Sequence, residues 1–197
     1  MSRIRPQLIG FFASGLALAA LLLFSACSIN VKKEKGGDDK QVDISTPMGG
    51  IHVSKGADVA EVGLPVYPGA HLKQDNSDGD DKSANVHISG FGYSLRVIAL
   101  QYQSNDPPAK IMAFYRDQLK KYGSVLECHT SHLDVDARIK GLDQSSDELT
   151  CQESHGTNVE LKVGNKENQH IVAIEPDGSG SSFSLVYLRT HGKDAEI

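Results

Sequence analysis

The chain has no tryptophan, only 6% aromatic residues and three cysteines in 197 residues. A core built from it must rest mainly on aliphatic side chains, and three cysteines cannot make a multi-bridge disulfide scaffold. A basic cluster is also missing. The 20 lysines and arginines are outnumbered by 25 aspartates and glutamates, for a net charge of −5. Nucleic-acid binding needs cations that displace phosphate counterions, and adhesion to anionic lipid needs a polybasic patch, so neither is expected. No Gly-x-Ser-x-Gly elbow, His-Glu-x-x-His pair or phosphate-cradling glycine loop before a helix occurs. The run Gly178-Ser179-Gly180-Ser181-Ser182 lies between two strand-like segments and reads as a hairpin loop. No enzymatic activity and no cofactor are expected.

What is present begins at the N-terminus. Arg3 and Arg5 precede Pro6, and no charge follows from Leu8 to Phe24. As a helix that run would extend roughly 25 Å, against a hydrocarbon core of about 30 Å. Length alone therefore does not separate a cleaved signal from a membrane anchor. The end of the run separates them, because Ser25 and Ala26 are small and Cys27 follows at once.

The stretch Leu21-Leu22-Leu23-Phe24-Ser25-Ala26-Cys27 resembles the signal peptide and lipobox of bacterial lipoproteins. The resemblance covers only the first 28 residues. It implies that residues 1–26 are removed, that Cys27 carries the lipid, and that the protein sits in the cell envelope. Ser28, rather than Asp, follows the cysteine, which implies sorting to the outer membrane of a Gram-negative bacterium. Phe24 stands where the family usually has Leu. The expected partners are the membrane, through the N-terminal lipid, and an envelope protein or ligand that the sequence does not identify.

Cleavage before Cys27 leaves about 170 residues, enough for one domain. Residues 27–41 are polar, mixed in charge and aperiodic, so a flexible tether is expected there. Val42, Ile44, Ile51 and Val53 alternate around Thr46-Pro47-Met48-Gly49-Gly50, which predicts a short hairpin and linker over 42–62. The globular domain spans 63–191, with a tail at 192–197. Four aspartates surround Gly79, but an EF-hand register centred on that glycine ends on Asn85, which offers no bidentate carboxylate.

Tyr93 to Gln103 is apolar on both faces and predicts a central strand. Ile111, Phe114, Tyr115, Leu119 and Tyr122 recur at helical spacing, with Asp106 as cap, Pro107 at the first position and Gly123 as stop. Strands are predicted near 85–88, 125–129, 149–152, 159–163, 171–174 and 183–188. The expectation is an α+β fold: a mainly antiparallel sheet with one principal helix, about 107–122, packed on one face. A Val-Tyr-Pro-Gly-Ala segment, a strand and a Phe-Tyr-containing helix over 63–129 resemble domains of uncharacterised bacterial envelope proteins, and that resemblance implies no activity.

The remaining cysteines, Cys128 and Cys151, each have a histidine four residues on, His132 and His155, and His129 adds a third. Several readings follow. With Cys27 acylated, the other two make one pair, and an oxidising compartment favours a Cys128–Cys151 disulfide. One alternative is a zinc site using Cys128, His132, Cys151 and His155, which requires the chain to turn sharply after each cysteine, because residues four apart on a strand lie roughly 13 Å apart; another is a metal-binding or hydrolytic site using His129, His132 and His155 near the disulfide. Free thiols are the last.

Overall fold

The structure, a computed structural model, describes residues 28–33, 40–74, 82–131, 147–151 and 155–192. Ten strands form one sheet: β1 (Ser28–Lys33), β2 (Lys40–Thr46), β3 (Gly49–Ser54), β4 (His71–Leu72), β5 (Ser83–Gly90), β6 (Tyr93–Ser104), β7 (Leu126–Thr130), β8 (Asn158–Gly164), β9 (Asn168–Asp177) and β10 (Gly180–His191). Their order is β1-β2-β3-β5-β6-β10-β9-β8-β7, with β4 on the end of β6. Every pairing is antiparallel. Two meanders, β1-β2-β3-β5-β6 and β7-β8-β9-β10, are joined where β10 pairs with β6.

The α+β expectation is corrected. Strands account for 55% of the described residues and helical turns for 15%, so the fold is largely β. Helix α1 (Val59–Val62) is one turn, capped by the Asp58 carboxylate at the Ala60 N–H. Helix α2 (Pro108–Leu119) continues as a 3-10 turn, Lys120–Tyr122. It is the crossover from β6 to the far edge strand β7, rather than a layer matching the sheet. The sequence overstated it because its 3.6-residue stripe is regular, whereas many strand positions here are serine, glutamine or histidine and carry little β signal. Ser181 and Ser182 are fully buried within β10, for example.

The core lies between α2 and one face of β6, β10, β9 and β8. Register aligns Tyr102, Phe183, Ile174 and Val159 in one row, and Leu100, Leu185, Val172 and Leu161 in the next. All eight are buried, and Ile111, Tyr115 and Leu119 of α2 close over them. Five aromatic residues, Tyr67, Tyr102, Phe114, Tyr115 and Phe183, gather here. Tyr102 stacks on Phe183 with centroids 5.6 Å apart, and Tyr115 lies 5.5 Å from Phe183. β6 is central, as its two-sided apolar pattern implies.

Four local expectations change. The helix starts at Pro108, and Asp106 does not cap it; its carboxylate accepts from the Tyr67 hydroxyl at 2.8 Å and from Lys110 Nζ at 2.7 Å. Leu149–Cys151 is not a strand. Residues 28–33, expected within a tether, pair with β2. Glu160 and Lys162, which the alternation of β8 puts opposite its apolar face, are also buried. Among the described residues no helix is long and apolar enough to cross a membrane.

The link before β4 is pinned to α2 by one hydroxyl. Buried Tyr115 donates to the Pro65 carbonyl at 3.1 Å and accepts from the Tyr67 N–H at 3.0 Å. Tyr115→Phe keeps the ring and strands both backbone groups. It is expected to lower unfolding free energy by about 1–3 kcal/mol in urea titration with the disulfide intact.

Candidate functional site

Cys128 lies on edge strand β7, on the face turned away from α2, and its sulfur is bonded to Cys151. The Cα atoms are 5.4 Å apart, a normal span for such a bridge. Cys128 is buried, and Glu160 of β8 is its register partner. Glu160 and Lys162 stand two residues apart on that same face with an ion-pair distance of 2.9 Å. The bridge therefore fixes Leu149–Cys151 beside a buried ion pair. Among residues 147–151, the Asp147 carbonyl is also held, accepting from the Lys166 N–H at 3.1 Å.

The zinc arrangement of Cys128, His132, Cys151 and His155 loses its two sulfur donors. Both sulfurs are joined to each other, so neither is available as a thiolate. His129, adjacent to Cys128 on a strand, points to the opposite face, where Nε2 lies 3.4 Å from the Glu127 carboxylate and Arg116 of α2 binds the same carboxylate. His155 is exposed. His132 and Cys27 lie outside the described residues, as do residues 75–81 of the aspartate-rich loop. Among the described residues no three His, Cys, Asp or Glu groups converge on a common point that could hold a metal.

A different histidine is the one most shaped by the fold. His170 on β9 stacks on Tyr122 with centroids 3.9 Å apart and lies 5.0 Å from the Tyr187 ring. Tyr122 and Lys121 both donate to the Gly63 carbonyl, at 2.6 and 3.0 Å. Gly63 closes α1 at φ 74°, and a side chain there would meet the Tyr122 hydroxyl. Burial lowers the His170 pKa, and the nearby Lys121 ammonium lowers it further, against a hydrogen bond to the Val62 backbone that acts the other way. The ring is held neutral between two tyrosines, which suits packing.

An open polar surface is made by register alone. Asp43, His52, His87 and Arg96 line up across β2, β3, β5 and β6 on the helix side of the sheet, beyond the reach of α2. His52 Nδ1 hydrogen-bonds Asp43. Arg96 reaches Glu61 of α1 at 2.6 Å, and Asn85 reaches the same carboxylate at 3.1 Å. This row offers donors and acceptors to a polar partner. Sequence reasoning missed it because its members come from four strands and share no motif. No protein-family model, curated protein or solved structure matches the chain.

Two outcomes are expected. The bridge closes a loop between residues 23 apart, for which chain entropy gives about 3 kcal/mol. Reduction, or Cys151→Ser, is expected to lower the unfolding free energy by that amount, read as a lower urea midpoint at unchanged slope. His170 has a folded pKa below its ordinary 6.5, so its contribution to stability is complete above pH 6.5 and is lost as pH falls through 6.5 toward the folded value. His170→Gln is expected to flatten the fall in Tm between neutral pH and pH 5, measured beside the parent; parallel curves would contradict this.

Proposed function

We propose that the protein is a lipid-anchored component of a bacterial cell envelope whose β-sheet domain binds or scaffolds a partner there. The observation that carries the reading is the order of Arg3 and Arg5, an uncharged run, two small residues and Cys27. The disulfide supports it. Cys128 and Cys151 are bonded, so Cys27 is the one cysteine left over, and such a bridge suits a compartment outside the cytoplasm. Outer-membrane location belongs to the same proposal, through Ser28.

For the binding role, the Asp43–His52–His87–Arg96 row is the surface to test first, since it is polar, ordered by four strands and not covered by α2. Its mixed charge fits a polar envelope ligand or protein better than a nucleic acid.

Cys27→Ala is expected to abolish incorporation of labelled palmitate and to shift the protein out of the membrane fraction. Undiminished label in the variant would refute the lipobox.

A further inference from the structure

Among the described residues, five of the six exposed large apolar side chains lie at one end of the sheet, Tyr122 being the sixth. Ile29 is 70% exposed, Met48 62%, Phe91 72%, Tyr93 47% and Ile51 38%. Met48 and Phe91 sit in the β2–β3 and β5–β6 turns, and the Phe91 N–H donates to the Met48 carbonyl at 3.3 Å. Gly49 and Gly90 face each other beneath them, where a side chain on Gly49 would collide with the Ser89 carbonyl. A shallow groove of about 330 Å³ runs between these turns and Ile44 and Ile88. No charged residue occurs in Ile44–Ile51 or Ile88–Leu95. From the turns inward, the uncharged rows extend roughly 10 Å before the Asp43–His52–His87–Arg96 row begins.

The start of β1 belongs to this same end. Ser28 pairs with Ser45, beside the Met48 turn. Cys27 is the preceding residue, and one residue spans about 3.5 Å at most. We infer that this end of the sheet is seated in the phospholipid interface, with Phe91, Met48 and Tyr93 inserted beside the lipid on Cys27. The inference rests on the anchor reading above. An acylated Cys27 holds these turns against the bilayer, whereas a long tether would have carried them clear. Interfacial elements bury about 5–10 Å of apolar surface, which matches the depth of the uncharged rows. Tyr93 suits the headgroup level, having an apolar ring and a polar tip. The absence of charge makes the contact hydrophobic and insensitive to salt.

The lack of tryptophan provides the test, since any introduced indole is the sole reporter. F91W and M48W, purified from membranes with their lipid, are reconstituted into phosphatidylethanolamine and phosphatidylglycerol vesicles with brominated acyl chains. S179W, in the β9–β10 turn at the opposite end of the sheet, is the reference. F91W and M48W are expected to lose roughly half of their emission to the bromines, at low and high salt alike, and S179W little. Intact mass of the same samples reports the lipid on Cys27. Acylated samples in which F91W and M48W are quenched no more than S179W overturn the inference and leave the anchor standing. An unmodified Cys27 overturns the anchor, and this inference with it. Blue-shifted F91W emission without bromine quenching, appearing as copies cross-link, assigns the end to protein contacts and overturns it too.

Discussion

The antiparallel pairing of β6 with β10 is the contact on which the molecule depends. It runs from Ser181 opposite Ser104 to His191 opposite Ser94, between residues 77 to 97 apart in sequence. It joins two meanders that would otherwise be separate small sheets, each with an edge at the centre of the present one. The Tyr102–Phe183 stack and the Leu100–Leu185 pair lie directly on it. Helix α2 follows from it: once β10 returns to β6, the chain between β6 and β7 must pass over β10, β9 and β8. The helix covers those three strands because it has to cross them.

That crossing divides the sheet by chemistry. Under α2 the rows are aliphatic and aromatic and fully buried. Beyond α2, over β2, β3 and β5, the same face turns polar, and α1 contributes Glu61 to it. The opposite face changes as well. At the β7–β8 side it holds the disulfide and the Glu160–Lys162 pair, a desolvated ion pair whose net worth is small but whose disruption by one partner alone would be costly. At the β2–β6 side it is an aliphatic ladder ending in exposed turns. One continuous sheet thus presents a sealed core, a polar surface and an apolar end.

The proposed envelope role draws on these parts differently. The lipobox-like N-terminus concerns the proposed location, the disulfide concerns compartment, and the β1 register concerns how closely the domain would follow an anchor on Cys27. If Cys27 is acylated as proposed, a strand that begins one residue after it would leave the domain little freedom to diffuse away from the bilayer. The polar row, beyond the three uncharged rows next to the turns, would then lie at a fixed height above the membrane, within reach of a partner there.

Several features were legible in the sequence because they are local or countable. Gly123 stops the helix, the alternation of Val159, Leu161 and Val163 marks a strand, and removing Cys27 from the thiol count leaves one pair. The balance of β over α was not legible, because polar residues such as Ser181, Ser182, Glu160 and Lys162 occupy buried strand positions that look like loop or surface in one dimension. Nor was the company that side chains keep. Asp43, His52, His87 and Arg96 meet, and Ser28 arrives beside Met48, only because strands distant in sequence adopt particular registers. The sequence by itself determined the turns, the helix and the cysteine arithmetic. Tertiary structure decided which faces are buried and which residues share an end, since a one-residue slip in any pairing would send every side chain to the other face.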